Sequence, residues 1–201
     1  HVDRQPAGFW HAYKDYDGLP INVQEHQDAF EFFTRLQEQV DAHCTKSRAA
    51  TVLERVVGGK FAQQVICRDC PHRSEREEHF TGISVDVRNK KNLQESLASY
   101  VQGELLEADN AYYCEECKKK MDAVRRACIK KLPHMLVIQL KRFEFDYETM
   151  TQLKLKQRFE FPHFLNVKPY TVEGLAEQER ADAVKAEAAR NDESGAERSG
   201  A

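Results

Sequence analysis

The feature that most constrains this chain is a pair of Cys-x-x-Cys motifs, Cys67/Cys70 and Cys114/Cys117, with 43 residues (71–113) between them. Each motif places two thiols on one tight turn, and four cysteine sulfurs make a closed tetrahedral shell that is typical of structural zinc. The alternatives are two disulfides or four unrelated thiols. The sequence predicts a structural zinc site with no catalytic role, because four cysteine ligands leave no open coordination position.

Size and charge narrow the class of protein. The 201 residues, 41% of them hydrophobic, suit one domain with a tail or a part of a larger domain. No secretory leader pattern and no apolar run of about 18 residues is present, so we expect an intracellular protein without a membrane partner, located in the cytoplasm and secondarily in the nucleus. The net charge of −3, from 30 basic and 33 acidic side chains, disfavours nucleic acid as a partner. In a reducing compartment, Cys44 and Cys128 are predicted to be ordinary thiols.

A helix is predicted from about residue 24 to residue 43. Asn22 and Glu25 have the spacing of a variant capping box. Apolar residues at steps of four, three and four, with Phe32 beside them, define one buried face (Ala29, Phe33, Leu36, Val40). Asp28 and Glu31 are three residues apart beside this stripe. On periodicity alone they are a solvated acidic flank.

Hydrophobic periodicity and the positions of capping and turn residues predict further elements. We predict a helix over 47–57, a strand at Lys60–Ile66, a strand at 83–87, and a helix that Asn92 caps and Gly103 ends. Strands are also predicted at 118–131 and 135–143, with a strand pair at 152–161. Residues 173–201 contain no aromatic residue and too little apolar surface to offset their ordering entropy, so we predict a disordered, low-complexity tail with a nascent helix near 176–190.

Four stretches in one order carry a resemblance to a known family. These are EHQDAFEFF (25–33), the paired cysteine motifs, KKLPHMLVIQLKRFEFD (130–146) and KLKQRFEFPHFLNVKPY (154–170). Together they resemble the catalytic domain of the ubiquitin-specific proteases over roughly residues 8–172. The segment CRDCPHRSEREEHFTGISVDVRN (67–89) is most similar to the large fat-facets-like members.

The resemblance implies a fold and its division into parts. The fold class is α+β, a papain-like cysteine protease described as thumb, fingers and palm, with a mixed, mostly antiparallel sheet. Residues 1–172 would be a partial protease domain, made of a thumb remnant (1–57), fingers (58–131) and palm (132–172), followed by the 173–201 tail. Cys67, Cys70, Cys114 and Cys117 would hold the zinc ribbon at the tips of the fingers.

The resemblance also implies a partner and its contact residues. Ubiquitin or ubiquitinated proteins would bind, with Asp28, Glu31, Arg142 and Phe143 lining the channel for the ubiquitin tail. That tail is extended and rich in arginine, so carboxylates can accept charge-assisted hydrogen bonds from it. The family often has Gln-Gln-Asp where this chain has His26-Gln27-Asp28, so the roles of the first two positions do not carry over.

Neither catalytic box of the family is found in these 201 residues. The family's nucleophile lies in a Gly-Asn-Thr-Cys-Tyr-like box before the thumb helix, and its histidine base lies in a His-x-Gly...Gly-His-Tyr-like box after the palm strands. Cys44, Cys128 and His163 lack these surroundings, so no catalytic residue is assigned. We expect membership of a thiol-dependent deubiquitinase family and a catalytically silent chain. A non-catalytic ubiquitin-binding or scaffold module and, more weakly, a zinc-ribbon nucleic-acid module are the alternatives.

Overall fold

The structure is a computed structural model that describes residues 7–22, 28–44, 52–148 and 150–198. Contacts between residues divide the chain into two compact units, His1–Val57 and Gly58–Ala201.

The described part of the first unit contains the helices α1 (Ala7–Ala12), α2 (Ala29–Cys44) and α3 (Val52–Val57), and an isolated antiparallel bridge joins Lys14 to Pro20. The helix predicted over 24–43 is confirmed for its described part, whereas residues 23–27 and 45–51 lie outside the described residues. The short α1 was not predicted, because residues 1–21 show no clear hydrophobic period.

The buried face of α2 differs from the predicted stripe. Ala29 and Val40 are exposed, and the helix packs instead through Phe32, whose ring centroid lies 4.8 Å from that of Tyr13. The Tyr13 hydroxyl also donates to the Phe32 carbonyl oxygen. Phe32, beside the predicted stripe, therefore packs within this unit, whereas the two ends of the stripe do not.

The cap of α2 also differs from the prediction. Asn22 is described outside any helix and Glu25 lies outside the described residues. The Asp28 carboxylate caps α2 instead, accepting hydrogen bonds from the N–H groups of Phe30 (2.7 Å) and Glu31 (3.1 Å). A negative side chain at this position satisfies open N–H groups and interacts favourably with the helix dipole.

The second unit is built on a four-stranded antiparallel sheet. In it, β1 (Gly59–Cys67) lies between β2 (Arg73–Phe80) and β7 (Ala123–Lys131), and β4 (Glu104–Leu106) pairs with the outer side of β7. The strand predicted at Lys60–Ile66 is confirmed. The β2 strand was not predicted, because its residues are exposed up to Phe80 and show no apolar alternation.

Shorter strands complete the second unit. The parallel pair is β3 (Ile83–Asp86) with β8 (Ile138–Lys141), and the antiparallel pairs are β5 (Tyr112–Cys114) with β6 (Lys119–Met121) and β9 (Phe143–Asp146) with β10 (Thr151–Lys154). The strand predicted over 135–143 is thus interrupted at Arg142. Of the strand pair predicted at 152–161 only β10 forms, because Glu160 exchanges backbone hydrogen bonds with Lys91 and Leu93 instead.

The core of the second unit lies between its sheets and α4 (Leu93–Gln102). Leu97 and Val101 of α4 pack with Ile83, Val85 and Ile129, all of them buried. Both predicted ends of the helix are confirmed: the Asn92 side chain accepts from the Glu95 N–H at 2.9 Å, and Gly103 has a φ of 86°. Positive φ favours glycine at this stop.

The tail, for which disorder with a nascent helix near 176–190 is predicted, forms helix α5 (Val172–Arg198) in its described residues, so the helix is longer than the sequence indicates. The Thr171 hydroxyl accepts from the Gly174 N–H at its start, Leu175 packs on the core, and Glu179 forms ion pairs with Arg73 and Arg126 of the sheet. The composition argument missed these contacts, since they involve only the first two turns.

The architecture confirms an α+β fold with mixed, mostly antiparallel pairing. Among the described residues, no helix combines the length and the apolar character needed to cross a membrane.

Candidate functional site

The two cysteine motifs converge on one small cluster in the second unit. Cys67 is the last residue of β1, and Cys114 is the last residue of β5. Backbone hydrogen bonds support the first motif, from Cys67 N to His72 O (3.2 Å) and from Arg68 N to Asp122 O (3.0 Å). The second bond joins the first motif to the residue that links β6 and β7. The sheet thus unites sites that are distant in sequence.

The distances in the cluster suit a tetrahedral metal site. The Sγ atoms of Cys67, Cys70 and Cys114 lie within 4.8 Å of one another, and those of Cys70 and Cys114 are 3.9 Å apart. A zinc–sulfur bond of about 2.3 Å places the sulfurs of a tetrahedral site about 3.8 Å apart. Cys117 packs against the same cluster. No disulfide joins the cysteines, all of which lie in the described ranges.

Burial and hydrogen bonding shift the pKa values of the clustered cysteine thiols in different directions. Burial and hydrogen bonds with Cys70 and Cys114 raise the pKa of Cys67 to about 12. A hydrogen bond with the Cys70 thiol, together with burial, raises the pKa of Cys117 to about 11. The pKa of Cys114 is lowered, because the N–H groups of Cys117 and Glu116 donate to its sulfur. These N–H donors were missed in the sequence, although the tight turn of a Cys-x-x-Cys motif implies them.

A charged contact between the sheet and α5 was also missed. Glu179 accepts from Arg73 at 3.0 Å and pairs with Arg126 at 2.7 Å. Burial alone would raise the pKa of the Glu179 carboxyl, but the two guanidinium groups outweigh it and lower that pKa. Arg73 begins β2 three residues after Cys70, so this contact connects α5 to the strand that leaves the first cysteine motif.

Two of the residues predicted to contact ubiquitin, Asp28 and Glu31, belong to the first unit. Both side chains are exposed. Glu31 lines a cavity of about 290 Å³ together with Tyr13, Phe32 and Arg35. Asp28 immediately precedes α2, and Glu31 lies on its first turn.

The other two predicted contacts, Arg142 and Phe143, belong to the second unit. Arg142 Nη1 donates to the carbonyl oxygens of Leu155 and Gln157, each at 3.1 Å, so the guanidinium holds the segment after β10. Phe143 is 58% exposed, and the Lys154 ammonium lies 5.4 Å from its ring centroid. Arg142 has a structural role, whereas Phe143 presents an accessible ring.

The remaining cysteines show no catalytic arrangement. Cys128 is fully buried on β7, its thiol lies 3.7 Å from the Ala62 carbonyl oxygen, and burial raises its pKa. A reactive cysteine needs the opposite, a lowered pKa and access to solvent. Cys44 ends α2 in the first unit, whereas His163 lies in the second unit after β10.

Comparison with known proteins adds the family. The model of the ubiquitin carboxyl-terminal hydrolase family matches residues 5–183. The chain is 49% identical over 175 residues to ubiquitin carboxyl-terminal hydrolase 9Y of Homo sapiens, which covers 87% of this chain and 7% of that protein. It is 48% identical over 174 residues to the probable ubiquitin carboxyl-terminal hydrolase FAF of Drosophila melanogaster, with 87% and 6% covered. The chain therefore spans less than a tenth of these relatives.

Solved structures resemble the fold. The SAGA DUB module bound to ubiquitin aldehyde matches with a TM-score of 0.64 and 32% identity, over 73% of this chain and 33% of that chain. The same module bound to monoubiquitin matches with a TM-score of 0.64 and 33% identity, over 73% and 34%. Because the family model matches most of this chain, the chain belongs to the ubiquitin carboxyl-terminal hydrolase family and carries part of a fat-facets-like ubiquitin-specific protease catalytic domain.

Proposed function

We propose that this chain is the ubiquitin-binding part of a cysteine-type deubiquitinase and that a structural zinc ion stabilises its fingers. The observation that carries the proposal is the convergence of the two cysteine motifs at one end of the β1–β7 sheet, within a matched family domain. The structural relatives described as bound to ubiquitin aldehyde and to monoubiquitin support ubiquitin as the partner.

Cys67, Cys70, Cys114 and Cys117 would hold the zinc. Their sulfur chemistry, their spacing and the backbone donors to Cys114 fit a closed structural site. The ion would supply stability and no reactive ligand. Its role would be to link the turn after β1 to the hairpin of β5 and β6, in addition to the packing of Cys67 with Met121.

Family membership suggests the contacts with the ubiquitin tail residue by residue. Asp28 and Glu31 would accept hydrogen bonds from arginine side chains or main-chain N–H groups of the tail, and Phe143 would pack on it. Arg142 would act by positioning the segment beside this ring, since its guanidinium already binds two backbone carbonyls.

The reaction of the parent enzyme would be hydrolysis of the isopeptide or peptide bond after the last ubiquitin residue. A cysteine thiolate attacks that carbonyl carbon, the amine leaves with a proton from the histidine, and water then hydrolyses the thioester. We assign neither group within these 201 residues. The chain alone should release no fluorophore from a ubiquitin C-terminal amide, and thiol-dependent turnover would contradict this part of the proposal.

A pair of variants tests the proposed tail contacts. Labelled ubiquitin is titrated with the zinc-loaded chain and with Glu31→Gln, which should weaken binding about tenfold, as expected for a charge-assisted bond. Glu54→Gln, another exposed glutamate of the same unit, is the control and should bind as the native chain does. Ubiquitin without its arginine-rich tail should bind Glu31→Gln and the native chain equally. Equal loss in both variants would contradict the assignment.

A further inference from the structure

Two short basic stretches that are far apart in the sequence meet in the second unit. The first is RNKK (88–91), which follows β3, and the second is KQR (156–158), which follows β10. All but two of their seven residues are arginine or lysine. The proposed function uses none of these cations.

Hydrogen bonds to the main chain hold the two stretches together. The Gln157 side-chain amide donates to the carbonyl oxygens of Val87 (2.6 Å) and Lys90 (2.9 Å). Close by, the Glu160 N–H donates to the Lys91 carbonyl oxygen at 3.1 Å. Because these bonds use main-chain oxygens of the first stretch, they leave the lysine ammonium groups of Lys90 and Lys91 free of any part in the joint.

A cavity of about 600 Å³ lies where the two stretches meet. Its lining residues are Asn89, Lys90, Lys91, Asn92, Gln157, Arg158 and Glu160. Three cations less one carboxylate give this lining a net charge of +2, whereas the whole chain has a net charge of −3. The fold therefore concentrates positive charge at one cavity of an otherwise acidic chain.

The cations of this basic cavity are available to a ligand. In the part of the chain that the structure describes, neither the Lys90 nor the Lys91 ammonium forms an ion pair with a carboxylate. Arg158 pairs with Glu160 at 2.8 Å, but the two side chains are 88% and 62% exposed. An ion pair this exposed contributes little stability, so the Arg158 guanidinium can turn to a ligand at little cost.

We propose that the basic cavity binds an acidic, extended segment of a partner protein. Carboxylates accept charge-assisted hydrogen bonds from lysine and arginine. The cavity is larger than one carboxylate or phosphate requires, and its cations come from two separate stretches of chain, so a segment with several carboxylates fits it better than a lone anion.

The charge of the cavity also excludes two other partners. An arginine-rich ubiquitin tail would be repelled, so this surface goes beyond the ubiquitin contacts proposed above. Proteins that bind duplex nucleic acid typically neutralise roughly six to ten phosphates, which requires a broader basic face than three cations supply. An acidic protein segment is the partner that matches both the sign and the extent of the charge.

The test uses the complete 201-residue chain and a labelled octapeptide in which glutamate alternates with serine. Fluorescence anisotropy should show saturable binding that weakens at higher salt, because salt screens exposed charges. The double variant Lys90→Gln/Lys91→Gln should bind about tenfold more weakly, since each exposed ion pair corresponds to roughly a two- to fivefold change in affinity. It keeps the main-chain oxygens that Gln157 and Glu160 contact, so its circular dichroism should be native.

Arg158→Gln tests the second stretch independently and should weaken binding roughly two- to fivefold. It decides the question if the double variant does not fold.

Two controls make the test specific. Lys119→Gln/Lys131→Gln removes the same charge at two exposed lysines outside the cavity and should bind as the native chain does. The same peptide with glutamine in place of glutamate should bind at least about fivefold more weakly. The proposal is overturned by no saturable binding, by equal binding of the glutamine peptide, or by equal affinities of the two double variants. A labelled single-stranded RNA octamer that binds more tightly than the acidic peptide would also overturn it, in favour of nucleic acid.

Discussion

Asp28 has one observed role and one proposed role. Its carboxylate caps α2 through the N–H groups of Phe30 and Glu31. The same residue is proposed to hold the ubiquitin tail. The sequence indicated an acidic pair beside a helix, but not that the helix begins there. Asn22 and Glu25 have the spacing of a capping box and led to a predicted helix start six residues before Asp28.

The metal ligands can be tested one residue at a time. The native chain should contain one zinc per molecule, and Cys117→Ser should bind it about a hundredfold more weakly. Structural zinc sites bind with roughly 10–16 kcal/mol, so one ligand of four carries about 3 kcal/mol. Competition with a chromogenic chelator measures the affinity. Cys44→Ser is the control and should keep the native value. An unchanged affinity in Cys117→Ser would exclude this cysteine as a ligand.

The charged surface of β2 and β7 predicts a dependence of stability on pH. Hydrogen bonds from Lys60 and Lys130 lower the pKa of Glu77 from 4.5 to about 2. A lowered carboxyl pKa means that this stabilisation is complete above pH 4.5 and is lost as the pH falls toward 2. Lys130→Gln should therefore reduce the urea midpoint near neutral pH and show a smaller further loss in acid.

The comparison between variants removes other acid effects, such as loss of zinc. Lys120→Gln is the matched control, because the Lys120 ammonium binds the Asp109 backbone carbonyl and not a carboxylate. Its urea midpoint should follow that of the native chain between pH 2 and pH 5. Parallel curves for Lys130→Gln and the native chain would show that the contact does not contribute to stability.

Helices and strands with strong local sequence patterns were predicted correctly, and those held by contacts with distant residues were not. α4 was predicted with both ends, because Asn92 and Gly103 enclose an apolar period of helical spacing. β2 was not, because an exposed edge strand has no apolar alternation and forms through backbone pairing with β1. α5 was predicted only as a nascent helix near 176–190 within a disordered tail, because ion pairs with residues far away in the chain, Arg73 and Arg126, do not appear in local composition.

The cap of α4 predicts a measurable contribution to stability. Asn92→Ala removes the acceptor for the Glu95 N–H, and such a loss costs about 1 kcal/mol of unfolding free energy. Urea denaturation followed by circular dichroism measures the change. Gln94→Ala, an exposed site on the first turn, should be neutral or slightly stabilising. Equal stability of Asn92→Ala and the native chain would contradict the capping role.

The anchoring of α5 predicts where the helix opens. Glu179→Gln removes the charge that pairs with Arg73 and Arg126, so amide hydrogen exchange over the first turns of α5 should become faster. Glu187→Gln changes a glutamate further along the helix and should leave those turns unchanged. Protection that does not change in Glu179→Gln would indicate that Leu175 and the Thr171 cap suffice to hold the helix.

At the scale of the whole molecule, the sequence predicted the fold class and the cysteine cluster through repeated motifs in a fixed order. It did not predict contacts between distant parts of the chain, such as the bonds of Arg142 to the segment after β10. The four proposed tail contacts fall in two units, Asp28 and Glu31 in one and Arg142 and Phe143 in the other. Family resemblance alone related them, since no local pattern links residues so far apart.

A titration of ubiquitin with the native chain measures whether this part of the protease domain binds ubiquitin. Labelled ubiquitin is titrated with zinc-loaded chain whose metal content and circular dichroism have been checked. We expect saturable binding below about 1 mM, weakened when the zinc is removed by a chelator and restored when zinc is added back. Absence of saturable binding by the folded, zinc-loaded chain would exclude the proposed role in ubiquitin binding.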